Sequence, residues 1–205
     1  MKLGLSIFLF LFCLFPASSS ADDTPAILIL GDSLSAAYNM EVSEAWPSLL
    51  QGRLDEHGHA HRVFNSSIAG DTTQGGLARL PRLLEKQQPV IVMIELGGND
   101  GLRGIPLDTT RGNLSAMIRA SQQAKARVII SEMRIPPNYG RSYTEKFQAM
   151  FGELAAEHGE TLLPFLLKDI ALEPGMMQSD GIHPAASAQV SILDEVWTVL
   201  EPMLD

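Results

Sequence analysis

The chain has 205 residues, 45% hydrophobic and 19% charged, with 24 acidic side chains against 15 basic ones and a net charge of −9. That length and apolar content suit one domain with a full core. The acidic balance makes nucleic acid and anionic membrane surfaces poor partners for the molecule as a whole.

Met1-Lys2 gives a short positive start, Leu3–Pro16 is almost wholly apolar, and Ala17-Ser-Ser-Ser-Ala21 is small and polar. This is the layout of a secretory signal peptide, too short for a comfortable membrane span, with cleavage expected after Ser20. The expected organisation is a signal peptide over 1–20 and a single domain over 21–205, exported to the periplasm or secreted. The only cysteine, Cys13, lies inside the leader. The exported chain would therefore use no disulfide, although its compartment permits them.

Beyond the leader, short apolar runs alternate with longer amphipathic ones. Ala26–Leu30 reads as a buried strand, Trp46–Glu56 as a helix, and Arg62–Asn65 as a short strand. Thr73–Gln87 reads as a helix broken or kinked near Pro81. Val90–Glu95 is the clearest strand, followed by a helical Leu107–Ala124, a strand at Arg127–Ser131, a helix at Tyr143–His158 and a last strand at Thr161–Pro164. The tail, Ala185–Met203, is helical, with an apolar stripe of Val190, Ile192, Leu193, Val196 and Leu200. This alternation implies βαβ units, a mostly parallel sheet and an α/β fold. Continuous apolar strands mean that both sheet faces are covered.

In such folds ligands bind beyond the C-terminal ends of the strands. Polar residues cluster there: Gly31-Asp-Ser33 after the first strand, Ser66–Asp71 after the second, Gly97-Gly-Asn-Asp100 after the third. Ser33 reads either as a turn or helix cap, where Asp and Ser are favoured, or as a nucleophile. A nucleophile needs a base. His57, His59 and His61 can form a metal-binding face if extended, but lacking an evident acidic second shell they read as a solvated surface turn. His158 reads as a helix C-terminal residue. In Asp180-Gly-Ile-His183 an Asp three residues before a His can fold back onto Nδ1 and leave Nε2 to take a hydroxyl proton. An oxyanion would need preorganised donors, which the Ser33 and Gly70 N–H groups and the Asn99 amide can offer. Asn99-Asp-Gly101 is also a plain turn signal.

Four blocks, Gly31-Asp-Ser-Leu-Ser35, Ala69-Gly70-Asp71, Gly97-Gly-Asn-Asp100 and Asp180-Gly-Ile-His183, stand in order along the chain. Together they resemble the marker blocks of the GDSL, or SGNH, family of serine esterases and lipases. The stretches LGDSLSAAY, GDTTQGGLARLP, ELGGNDGLRG, PPNYGRSY and MQSDGIHP resemble its bacterial periplasmic thioesterase, lysophospholipase and arylesterase branch. The resemblance implies a flavodoxin-like three-layer α/β/α sandwich around five parallel strands. It implies Ser33 as nucleophile, His183 as base, Asp180 as its orienter, and Ser33, Gly70 and Asn99 as the oxyanion hole. It implies a mobile, acyl-responsive loop at Gly101–Leu107. Ala37, where close relatives often carry Gly, implies at most a change of pocket shape.

The expected activity is hydrolysis of acyl and aryl esters, thioesters and lysophospholipids through an acyl-enzyme, with no metal or cofactor. The expected partner is a small ester, with no stable membrane insertion and a monomer by default. The alternatives are a carbohydrate O-acetyl esterase, which a short polar pocket would favour, and a non-catalytic binding protein on the same scaffold, which would have no need of Ser33, Asp180 and His183 together.

Overall fold

The computed structural model describes residues 24–204; the expected leader over 1–20 lies outside them. Five strands, β1 (Ala26–Gly31), β2 (Arg62–Asn65), β3 (Ile91–Glu95), β4 (Arg127–Ser131) and β5 (Thr161–Leu163), form one parallel sheet in the order β2-β1-β3-β4-β5. Helices α1 (Trp46–Glu56), α2 (Thr73–Gln87), α3 (Gly98–Leu102), α4 (Leu107–Gln123), α5 (Arg141–His158) and α6 (Gln189–Leu200) connect and cover it.

The period of two in the strands builds both layers. Leu28, Leu30, Val92, Ile94, Val128 and Ile130 face α2, α4 and α5, whereas Ile27, Ile29, Ile91, Met93 and Ile129 face α1 and α6. Burying each such side chain contributes roughly 1.5–3 kcal/mol relative to leaving it exposed, so two apolar layers hold the sheet in the α/β/α sandwich anticipated above.

Several elements depart from their sequence expectation. Helix α2 runs unbroken through Pro81. Proline removes one amide donor, and that proline lies on the exposed side while Leu80 and Leu84 stay packed on the sheet. Gly98–Leu102, which reads as a loop, winds into α3, because the buried Asp100 accepts from the Thr73 N–H at 2.9 Å and from Thr110 Oγ1 at 3.3 Å. The helical tail is α6 flanked by single 3₁₀ turns at Ala186–Ala188 and Glu201–Met203. Its buried stripe is Ile192, Leu193, Val196, Trp197 and Leu200; Val190 falls off that stripe and is 54% exposed.

Strand order decides where a ligand can sit. From β1 the chain goes first to β2 on one side and then crosses to β3 on the other. The connections diverge there, leaving a crevice beyond the C-terminal ends of β1 and β3. The turn after β1 carries Ser33 and the segment after β3 carries Asn99.

Candidate active site

Ser33 lies in the turn that closes β1. The Leu34 N–H donates to Asp32 Oδ1 at 3.1 Å and the Ser35 N–H to the Asp32 carbonyl at 3.3 Å, which is why Asp precedes the serine. From outside, Trp46 Nε1 donates to the Leu34 carbonyl at 3.2 Å and Asn65 Nδ2 to the Ser35 carbonyl at 2.7 Å. The serine is thus fixed from α1 and from the end of β2.

Opposite it stands the loop before α6. Ser33 Oγ is 2.8 Å from His183 Nε2, and His183 Nδ1 is 2.7 Å from Asp180 Oδ2. Asp180 Oδ1 also accepts the N–H groups of Ile182 at 2.9 Å and His183 at 3.0 Å. The His183 N–H, then the His183 ring and then the Ile182 N–H hold the Asp180 carboxyl at about 2, below its usual 3.8. An ionised Asp180 on Nδ1 leaves Nε2 as the acceptor for the Ser33 hydroxyl proton. The loop is closed on itself: the Gln178 N–H donates to the His183 carbonyl at 2.8 Å, and Gln178 Nε2 to the carbonyls of Pro184 and Tyr38 at 3.0 and 2.9 Å. The Tyr38 ring lies over the imidazole, with centroids 4.1 Å apart.

The donors expected for an oxyanion occupy the same strand ends. No hydrogen bond within the described residues engages the Ser33 or Gly70 N–H. Gly70 sits at φ +79°, a left-handed conformation costly to any residue with a Cβ, and its carbonyl accepts from Arg103 Nη2 at 2.7 Å. Asn99 Nδ2 donates to Asp32 Oδ2 at 3.0 Å, which spends one amide hydrogen and leaves the other. The Gly101–Leu107 segment is anchored by Tyr139 Oη on the Leu102 carbonyl at 2.9 Å and by Tyr143 Oη on that of Ile105 at 3.4 Å.

Sequence reasoning did not single out Tyr38, Asp32 or Glu95. Glu95 ends β3 fully buried, its Oε2 accepting from Ser35 Oγ at 2.6 Å and the Asp32 N–H at 3.2 Å. Burial first, then the neighbouring Asp32 charge, pushes the Glu95 carboxyl well above 4.5, and burial raises Asp32 above 3.8. The visible signal was a lone acid closing the apolar run VIVMIE.

The other histidines lie elsewhere. His57 and His59 pack on Trp197 at 4.8 and 6.0 Å between centroids, and His57 Nδ1 is 3.7 Å from Glu201 Oε1. His61 is buried, so the segment is not the wholly solvated turn expected of it. Among the described residues no three His, Cys, Asp or Glu side chains are grouped to hold a metal, and no helix is long and apolar enough to cross a membrane. His158 ends α5 as anticipated and meets Ser115 Oγ at 2.8 Å. A surface depression of about 430 Å³ lies between α4 and α5, lined by residues such as Leu107, Arg111 and Met150, none of them in this site.

Residues 29–189 match the GDSL-like Lipase/Acylhydrolase family. The chain is 47% identical over 178 residues to the esterase TesA of Pseudomonas aeruginosa, covering 87% of this chain and 89% of that one. It is 46% identical over 198 residues to the thioesterase 1/protease 1/lysophospholipase L1 of Escherichia coli K12, covering 97% and 92%. The crystal structure of the psychrotrophic esterase EstA from Pseudoalteromonas sp., inhibited by monoethylphosphonate, superposes with a TM-score of 0.84 at 42% identity, covering 87% of this chain and 97% of that one.

Proposed function

This chain belongs to the GDSL-like lipase/acylhydrolase family and is an esterase of that family, and from that premise we propose that Ser33, His183 and Asp180 are its catalytic triad. The observation that carries the reading is the continuous chain of contacts from Ser33 Oγ to His183 Nε2 at 2.8 Å and from His183 Nδ1 to Asp180 Oδ2 at 2.7 Å. His183 takes the Ser33 proton as Oγ attacks the ester carbonyl carbon, and the carbonyl oxygen becomes the oxyanion. The Ser33 and Gly70 N–H groups and the spare Asn99 amide hydrogen receive that charge. The C–O or C–S bond to the leaving group then breaks, and His183 returns the proton to it. Water, activated by the same imidazole, hydrolyses the acyl-enzyme and restores Ser33.

Tyr38, Ile68 and Ile182 favour an acyl or aryl ester as substrate. All three are exposed apolar side chains on the loops that carry Ser33, Gly70 and His183. Each methylene covered by such surface contributes about 0.8 kcal/mol. A short polar acetyl-sugar pocket would have no use for them. Thioesters and lysophospholipids present the same carbonyl to the same serine and belong to this reading, as the name of the Escherichia coli relative suggests. The leader layout of residues 1–20 supports export of the single domain to the periplasm.

The test is covalent. An alkyl phosphonate should inactivate the enzyme and add its mass to the peptide holding Ser33. Label on another residue, or full esterase activity after Ser33→Ala, refutes the assignment.

A further inference from the structure

The catalytic chemistry above leaves one built feature unused: the carboxyl buried beneath the nucleophile turn. Glu95 is 0% and Asp32 3% exposed. In the sheet register Gly31 stands beside Glu95, and a Cβ on Gly31 would come within 2.6 Å of Glu95 Oε2. Gly31 is therefore the space into which the Glu95 carboxyl fits. Once there, Oε2 is held by Ser35 Oγ and the Asp32 N–H, while Oε1 is buried with no hydrogen-bond partner among the described residues. The Glu95 carboxyl adjoins Asp32, whose own N–H it accepts at 3.2 Å, and the Asp32 charge acts on it. Two buried carboxylates on adjoining residues repel and are both desolvated, so one keeps a proton. Asp32 already accepts from the Leu34 N–H and from Asn99 Nδ2. It is the better anion, and Glu95 the better acid.

We propose that Glu95 is a positioning residue for the oxyanion site: its carboxyl, protonated and sealed under the Ser33 turn, donates to Asp32 and fixes it where it holds the Asn99 amide. Glu95 touches no substrate. It acts through Asp32 on Asn99, and through the Asp32 N–H and Ser35 on the turn itself. The charged groups around it come from several elements. Asp32 follows β1, His183 precedes α6 and acts on Asp32, and Arg79 of α2 donates to the Gly31 and Ser66 carbonyls while paired with Asp71. Among the described residues no ion pair gives Glu95 a cation that would favour its ionised form; its carboxyl accepts from Ser35 Oγ and the Asp32 N–H.

The inference rests on Ser33 as nucleophile and Asn99 as oxyanion donor, and the experiment separates the two. Wild type, Glu95→Gln and Glu95→Val are compared for kcat and KM on p-nitrophenyl butyrate and for the rate of Ser33 phosphonylation. Infrared spectra of wild type and Glu95→Gln are recorded at pH 8. Glu95→Val should lose kcat by about 30- to 100-fold, part of the 10²- to 10³-fold that a whole oxyanion donor supplies, with KM within twofold. Glu95→Gln, which accepts and donates as a neutral acid does, should restore kcat to within about threefold of wild type. Wild type should show the carbonyl stretch of a protonated carboxylic acid, and Glu95→Gln should lack it. Native kcat in Glu95→Val beside a lowered Tm would make Glu95 a packing residue and overturn the proposal. So would a Glu95→Gln as slow as Glu95→Val, or a wild type without the acid band. Should Glu95→Val fail to fold, the infrared band and the Gln variant decide. If wild-type Ser33 takes no phosphonate, the catalytic reading fails; if it does, a negative result belongs to Glu95 alone.

Discussion

Replacing Asn99 with alanine perturbs one side chain in two ways whose sizes can be separated. In the proposed mechanism the spare amide hydrogen is the transition-state donor, and its loss should lower kcat by about 10²- to 10³-fold, or roughly 2.7–4 kcal/mol. KM should stay within about twofold, because the oxyanion exists only after attack. The other amide hydrogen is the 3.0 Å bond to Asp32 Oδ2. Asp32 is 3% exposed, so its orphaned oxygen cannot turn to bulk water. Leaving a buried acceptor short of a partner costs about 1–3 kcal/mol, which for a chain of this size lowers Tm by roughly 2–12 °C. Steady-state hydrolysis of p-nitrophenyl butyrate reads the first effect and scanning calorimetry the second. A variant that keeps kcat within threefold of wild type removes Asn99 from the oxyanion hole, whatever happens to Tm. A Tm unchanged within a degree refutes the structural part, meaning that Asp32 does not depend on that amide.

Stability against pH should pass through a maximum near pH 4, measured as Tm from pH 2 to 8. The lowered Asp180 carboxyl contributes stability above 3.8 that is lost as pH falls towards about 2, while the raised Asp32 and Glu95 contribute stability that is complete below 3.8 and 4.5 and is lost as pH rises past them. The slope is up to about 1.4 kcal/mol per pH unit for each of the buried Asp32 and Glu95 and smaller for the exposed, solvent-screened Asp180, and a Tm climbing steadily from pH 4 to 7 contradicts it. Ala37 stands at φ +57°, where a Cβ is strained, so Ala37→Gly should raise unfolding free energy by about 0.5–1 kcal/mol in urea titration. Loss of stability there would mean that the turn does not hold this conformation. Tyr38→Ala removes the ring at 4.1 Å from the His183 imidazole and should lower kcat/KM about three- to tenfold, the worth of one aromatic pair. Unchanged kcat/KM would leave the ring without a part in holding the base.

What was legible in the sequence follows from the range of each interaction. Ala26–Leu30 and Val90–Glu95 announce themselves because a strand buried on both faces must be apolar throughout. Asp180 and His183 could be paired because their contact spans three residues. Ser33 could be joined to them by resemblance to known blocks, while the 2.8 Å contact itself spans 150 positions and belongs to the fold. Packing of His61 against its neighbours and the exposure of Val190 depend on tertiary surroundings that periodicity does not report. Ala37 shows the same limit: it reads as a pocket-shape change, whereas its backbone angle makes it first a conformational cost. The pairing of Gly31 with Glu95 was hidden because it depends on strand register between β1 and β3. A glycine before Asp-Ser looks like turn chemistry until the neighbouring strand shows what fills the missing side chain.

That register changes how the Gly31–Ser35 stretch is understood. A fully buried carboxyl destabilises a fold at neutral pH, and an apolar side chain at position 95 would avoid the penalty. The cost is accepted at the one place where Gly31 makes room for the carboxyl, Asp32 and Ser35 donate to it, and Ser33 stands between them. Of these residues it is Ser33 whose hydroxyl meets His183 Nε2. Four of the five positions in the stretch therefore have identifiable duties, three of them directed inward at Glu95. If its burial were merely a matter of packing, replacing it would change stability without touching kcat. If it is the foundation of the oxyanion site, an apolar substitution at residue 95 orphans the Ser35 hydroxyl and the Asp32 N–H beneath the turn and must lower kcat, whichever way Tm moves.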